Sequence, residues 1–191
     1  MKILITGGLG FVGSHIVNRF IDAKYDVVIL ARNDIGTRGK EHQQTYYVTN
    51  INFDPTLNMS KLYAAYWNQM NWGTNILGIH HLSKFCIKTK TPLLHLSTDE
   101  VIGNGKPLYE NSMTLPTNPY SATKASGESI LHAYGYCYGL DWKVVRLNNT
   151  YGTMQFPDKL IPYFISKLQD NKKLPIHGSG KQVRFFLNID D

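Results

Sequence analysis

TGGLGFVGSH, Thr6 to His15, spaces Gly7, Gly10 and Gly13 at three-residue intervals and follows the β-type run KILIT, Lys2 to Thr6. Downstream, Ile16, Val17, Phe20 and Ile21 share a helical face before a second apolar run, VVIL at Val27 to Leu30. Strand, glycine turn, helix and strand in that order make a βαβ unit. A glycine triplet alone also suits a plain tight turn, so its position decides. Between a first strand and a first helix, one glycine permits the turn and one lets the backbone approach a pyrophosphate. The third allows close helix–strand packing, with the anion at the helix N-terminus. The expectation is dinucleotide binding by Gly7, Gly10 and Gly13 together with Phe11 and Val12.

The alternation continues along the chain. A helix is expected through Ile76, Ile79, Leu82 and Cys86, a strand at Leu93 to Leu96, a helix from about Tyr120 to Tyr138, and a strand at Lys143 to Leu147. Helices between strands predict an α/β fold with a doubly wound parallel sheet, forming one domain over residues 1–191.

Composition bounds the rest. With 191 residues, 42% of them apolar and 18% charged, the chain can bury one core of ordinary globular type. No apolar run approaches the roughly 18 residues of a membrane span, and MKILITGG reads as a strand entering a turn rather than a signal peptide, so a cytoplasmic protein without a membrane partner is expected. Cys86 and Cys137 both fall in helix-like stretches, which supports neither a disulfide framework nor a metal site and suggests core thiols. The net charge of +6 would suit nucleic acid, but Lys and Arg are scattered, and a phosphate-bearing small molecule explains the excess equally well.

Two stretches carry chemistry. LLHLSTDEVIG, Leu93 to Gly103, reads as a buried strand that ends in the adjacent carboxylates Asp99 and Glu100. Such acids also begin ordinary solvated loops. YSATK places Tyr120 and Lys124 four residues apart on one helical face, just after Pro119 at the helix start. An ammonium beside a phenol favours the phenolate, which makes the tyrosine a proton acceptor for an alcohol being oxidised. Tyrosine and lysine at this spacing also occur on many solvated helices, but joined to the glycine turn the pattern gains specificity.

TGGLGFVGSH, LSTDEVIG at Leu96 to Gly103, TNPYSATKASGE at Thr117 to Glu128, RLNNTYGTMQFPDKLIPYFI at Arg146 to Ile165 and LPIHGSGKQVRFFLNIDD at Leu174 to Asp191 occur in order along the chain. In these motifs it resembles the extended short-chain dehydrogenase/reductases, and among them the nucleotide-sugar 4,6-dehydratases of the dTDP-glucose type. The resemblance implies a Rossmann-type domain, NAD as cofactor and a nucleotide-sugar substrate. It also implies a catalytic set in which Thr98 contacts the sugar, Asp99 protonates the departing C6 hydroxyl and Glu100 removes the C5 proton. Tyr120 and Lys124 would serve the C4 oxidation. Related epimerases generally lack the acidic pair, and related decarboxylases carry a single glutamate, so the pair implies water elimination. The resemblance carries substrate contact to Asn149, Lys159 and Arg184. Each has an ordinary alternative: a turn cap for Asn149, a solvated charge for Lys159, and pairing with Asp190 and Asp191 for Arg184. Relatives pair through a four-helix contact, so a homodimer through the helix after Tyr120 is implied as well.

The chain departs from the family pattern between Arg32 and Trp72, where it is much shorter. YYVTNI, Tyr46 to Ile51, looks like a third strand with Asn50 at the adenine position, and LYAA, Leu62 to Ala65, looks like a remnant of a fourth-strand pattern that puts Ala64 against the cofactor. After the second strand, an acidic residue would hold the ribose hydroxyls of NAD and an arginine would suit NADP. Aligning on NDIG puts Asp34 rather than Arg32 in that role, which favours NAD. Asp191 falls where family members continue into a substrate-binding lobe, so residues 149–191 are expected to contain only its beginning. The expected alternatives to a dehydratase are a non-catalytic dinucleotide-binding relative or interaction module, and a nucleotide-sugar epimerase.

Overall fold

A computed structural model describes residues 2–31, 45–47, 72–103, 109–176 and 178–191. In chain order its elements are β1 (Lys2–Thr6), α1 (Phe11–Asp22), β2 (Asp26–Ala31), β3 (Thr45–Tyr47), α2 (Gly78–Thr89), β4 (Leu93–Thr98), α3 (Pro119–Tyr138), β5 (Trp142–Leu147), β6 (Asn149–Tyr151), α4 (Leu160–Gln169) and β7 (Phe186–Asn188). A π-helical turn, Gly73–Leu77, runs into α2, and a 3-10 turn, Asp99–Ile102, follows β4. The chain forms two compact units, Met1–Asp54 with Asn149–Asp191, and Pro55–Asn148.

In the first unit, β1, β2 and β3 are hydrogen-bonded in that order and run parallel, with Ile3 opposite Val27 and Ile29 opposite Thr45. Alternation along β1 and β2 turns Ile3, Ile5, Val27 and Ile29 toward α1, whose Ile16, Val17, Phe20 and Ile21 close the core with Leu9. β6 pairs parallel with β7. Arg19 of α1 donates to the Asp190 carbonyl at 2.8 Å, which ties α1 to the segment after β7.

In the second unit, β4 and β5 pair parallel from Leu93 opposite Trp142 to Thr98 opposite Leu147. One face of this pair meets α2 and α3, where Ile79, Cys86, Leu131 and Leu140 form a core flanked by Leu93, Trp142 and Val144. α3 begins with a reciprocal capping box between Asn118 and Ser121, carries Pro119 at its start and ends at Gly139 with φ +67°. Gly127 lets α3 settle onto the π-helical turn, because a Cβ there would stand 2.8 Å from the Asn75 carbonyl oxygen.

All described strand pairs are parallel, as the alternation of helices and strands predicts. Three local expectations need correction. The fourth strand runs on through Thr98, and it is not apolar inside: His95 and Ser97 face the helices, whereas Leu94 is 59% exposed. Register sets this, because turning His95 inward turns Leu94 outward. Only Cys86 is a core thiol; Cys137, in the last turn of α3, is exposed. β6, α4 and β7 were not anticipated as elements. No described helix is long and apolar enough to cross a membrane.

Candidate active site

The glycine turn lies in the first unit, between β1 and α1. Gly7 has φ +69°, a conformation that side-chain-bearing residues rarely adopt, and its carbonyl accepts from the Gly10 amide at 2.9 Å. A Cβ on Gly13 would collide with that same carbonyl, so the third glycine is required for helix-on-turn packing. Gly10 is the N-cap of α1 and offers no side-chain acceptor, and the first turn, with Phe11 and Val12, contains no acidic residue. The amides at this end are therefore left for an external anion, and the turn fits a pyrophosphate.

The residues expected to be reactive lie in the second unit. β4 delivers Thr98 to its C-terminal end, and the 3-10 turn presents Asp99 and Glu100 there. Val101, fully buried, anchors the turn from below. The Thr98 hydroxyl donates to Asp99 Oδ1 and accepts from the Glu100 amide, both at 3.3 Å. Burial, reinforced by the neighbouring Glu100 charge, raises the Asp99 pKa against the opposing Thr98 hydrogen bond. A carboxyl held above its usual range is suited to giving up a proton. Glu100 is exposed and accepts from Asn118 Nδ2 at 2.8 Å.

Tyr120 and Lys124 stand in the first two turns of α3. Burial, and then the charges of Glu100 and Asp99, raise the Tyr120 pKa. This corrects the sequence-based expectation of a phenol lowered by Lys124. The lysine ammonium is directed at β4 instead, where it donates to the Leu96 carbonyl at 2.6 Å. Burial lowers the Lys124 pKa to about 8, with Glu128 pulling the other way. Thr98, Asp99, Glu100, Tyr120 and Lys124 thus come together around the C-terminal end of β4 and the N-terminus of α3.

The expected substrate contacts fall in the first unit. Asn149 opens β6 and its amide donates to the Phe185 carbonyl at 3.2 Å. Lys159 is the N-cap residue of α4, with an exposed ion pair to Asp158 at 3.4 Å. Arg184 is exposed and donates to the Val183 carbonyl, whereas the Asp190 carbonyl takes Arg19. Arg32, Asp34, Asn50 and Ala64 lie outside the described residues. Sequence reasoning missed Asn118, although a capping residue directly before Pro119 was a usable signal. It also missed Glu128 and Arg146, whose pairing across two elements leaves no local signature.

Comparison with known proteins bears on this arrangement. The family model described as NAD dependent epimerase/dehydratase family matches residues 3–191. The chain belongs to the NAD-dependent epimerase/dehydratase family. Within that family, a dTDP-D-glucose 4,6-dehydratase of Dictyostelium discoideum is 36% identical over 234 residues, which takes in 100% of this chain and 53% of the relative. A trifunctional UDP-glucose 4,6-dehydratase/3,5-epimerase/reductase of Arabidopsis thaliana is 37% identical, over 100% of this chain and 33% of its own length. The chain therefore spans about half of one relative and a third of the other. The Dictyostelium alignment is also longer than the 191-residue chain, so the relative carries internal segments with no counterpart here. Among solved structures, a Streptomyces venezuelae dTDP-glucose 4,6-dehydratase with NAD bound has a TM-score of 0.81 at 30% identity, covering 100% of this chain and 69% of that one. A Thermotoga maritima UDP-glucose 4-epimerase has a TM-score of 0.82 at 25% identity, covering 100% and 70%. The fold is Rossmann-like, with dehydratases and epimerases of this NAD-dependent family as its neighbours.

Proposed function

We propose that the chain carries the catalytic set of an NAD-dependent nucleotide-sugar 4,6-dehydratase, acting on dTDP-glucose or UDP-glucose. The observation that supports this reading is the adjacent pair Asp99 and Glu100 at the end of β4, within electrostatic reach of Tyr120. Elimination of water across C5 and C6 needs one group to take a proton and another to give one, and two carboxyls in unlike environments meet that need. Asp99, partly buried and held toward its protonated form, donates to the departing C6 hydroxyl. Glu100, exposed and oriented by Asn118, removes the C5 proton. Tyr120 takes the proton of the C4 hydroxyl, Lys124, held against the Leu96 carbonyl one turn along α3, is the fixed cation of the site, and Thr98 offers its hydroxyl to the sugar.

NAD, when bound, supplies the hydride acceptor for C4 and the hydride returned to C6. Gly7, Gly10, Phe11, Val12 and Gly13 would hold its pyrophosphate, and Asp34, Asn50 and Ala64 are assigned to its adenosine side by resemblance. Asn149, Lys159 and Arg184 are assigned to the nucleotide-sugar on the same basis, and pairing of two copies along α3 belongs to the proposal as well. A second reading, a nucleotide-sugar epimerase, is favoured by the Thermotoga neighbour, and the carboxyl pair opposes it.

The test is formation of the 4-keto-6-deoxy product from each nucleotide-sugar by the chain, with Glu100→Gln beside it. The substitution keeps size and polarity and removes the base, so elimination should fall on the order of 100-fold or more. Product formation that Glu100→Gln leaves untouched refutes the assignment. So does C4 inversion with no elimination.

A further inference from the structure

Beneath the Tyr120–Lys124 face of α3 lies a buried charged group that the proposed reaction does not use. Glu128 is one helical turn past Lys124, at the i+4 position on the same face, and only 8% of it is exposed. Its carboxylate is gripped at two points by Arg146 of β5, from Nη2 to Oε2 at 2.7 Å and from Nε to Oε1 at 3.2 Å. Arg146 stands opposite Ser97 in the β4–β5 register, and its Nη1 donates to the Glu110 carbonyl at 3.2 Å. The guanidinium is thus fixed from two directions, and the carboxylate with it.

Placing an acid here is costly unless its charge serves something, because a buried ion pair seldom adds stability over an apolar pair of the same size. The neighbouring cation is Lys124, whose ammonium is partly buried and has the Leu96 carbonyl as its hydrogen-bond acceptor. We propose that Glu128, clamped by Arg146, is a positioning residue that keeps Lys124 protonated against β4, so that the ion pair sets the pH range in which the Tyr120–Lys124 pair can work. This inference rests on the dehydratase reading only for the use made of Lys124, not for the electrostatics.

Among the described residues, the other charged and titratable groups near Lys124 do not supply this. His95, buried on β4, is neutral because burial, then the Lys124 charge, lowers its pKa to about 4. Asp99, Glu100 and Tyr120 lie at the helix start, and Arg146 is itself a cation. For Glu128, burial raises the pKa, and the Arg146 hydrogen bonds, the Ser97 hydroxyl and the Arg146 charge together outweigh it and bring the carboxyl below its ordinary value. A group ionised throughout the range in which Lys124 titrates is what a constant counter-charge requires.

The experiment is an NMR titration of the Lys124 side chain in the full chain without substrate or cofactor, assigned by loss of the signal in Lys124→Arg. Glu128→Gln keeps the shape and removes the charge, and it should move the midpoint down by about one pH unit. Arg146→Gln releases the carboxylate toward Lys124 and removes a competing cation, and it should move the midpoint up. Should Arg146→Gln not fold, Glu128→Asp serves instead, because it keeps the charge and should hold the midpoint above that of Glu128→Gln. A midpoint unmoved by Glu128→Gln, or shifts of the same sign in Glu128→Gln and Arg146→Gln, would overturn the proposal and leave the pair a mere tie between α3 and β5. The titration needs no turnover and so stands apart from the product assay: expected shifts beside C4 inversion without elimination refute the dehydratase reading alone, and elimination beside an unmoved midpoint refutes this inference alone.

Discussion

Asn118 uses both ends of its amide: Oδ1 accepts from the Ser121 amide at 2.8 Å and caps α3, and Nδ2 donates to Glu100 Oε2 at 2.8 Å. One side chain therefore fixes the start of the helix that carries Tyr120 and the orientation of the carboxylate assigned as base. Serine caps helices as well as asparagine does, but it has no amide to reach Glu100. Asn118→Ser should leave the unfolding midpoint nearly unchanged while product formation falls on the order of 10-fold through loss of orientation. Asn118→Ala should lose about 1 kcal/mol of stability in addition. Denaturant unfolding run beside the product assay separates the two effects, and wild-type turnover in Asn118→Ser would remove Asn118 from the site.

The carboxylates also act on the phenol. Because Glu100 and Asp99 add to burial in raising the Tyr120 pKa, neutralising Glu100 should let Tyr120 ionise at lower pH. Ultraviolet difference titration of Glu100→Gln against the wild type, with Tyr120→Phe to identify the signal, measures this shift. Tyr120→Phe itself should suppress C4 oxidation by at least about 100-fold, the usual contribution of a positioned base. An upward shift in Glu100→Gln would contradict the electrostatic arrangement.

Lys124 links stability to pH. Its pKa is about 8 in the folded chain against an ordinary 10.5, so the folded state gives up this proton first as the pH rises. Between those values the unfolded state binds more protons, and stability should therefore rise with pH across that window. Below about 8 the fold bears the full cost of the buried ammonium, and above 10.5 the cost is gone. Lys124→Met should be more stable than the wild type near neutrality and should lose this slope, which denaturant melts across the window will show. A wild-type stability that falls from pH 8 upward, with the same slope in Lys124→Met, would run against it.

Gly13→Ala tests the turn. The new methyl collides with the Gly7 carbonyl, so the helix must shift, at a cost of about 1–3 kcal/mol. NAD binding by calorimetry should weaken with it, because the same backbone would cradle the pyrophosphate. Unaltered NAD affinity in a folded Gly13→Ala would mean that the dinucleotide does not bind at this turn.

Much of this architecture is local and so can be read from the chain. The glycine spacing, the helical period of Ile16, Val17, Phe20 and Ile21, and Pro119 at a helix start act over a few residues, where hydrogen-bond geometry and sterics leave few conformations. The i, i+4 placement of Tyr120 and Lys124 follows from the pitch of a helix alone. What the lysine touches does not. The Leu96 carbonyl is 28 positions away in sequence, Glu128 and Arg146 meet across 18, and Asn118 reaches Glu100 across another 18. Each contact depends on where α3 crosses β4 and on the register of β4 with β5, and that register also turned His95 and Ser97 inward and Leu94 outward. The sequence by itself determined which residue types are available for acid, base and anion binding and which short elements carry them. Only the tertiary structure decided which charges face one another, because burial and distance, rather than order along the chain, set the strength of an electrostatic interaction.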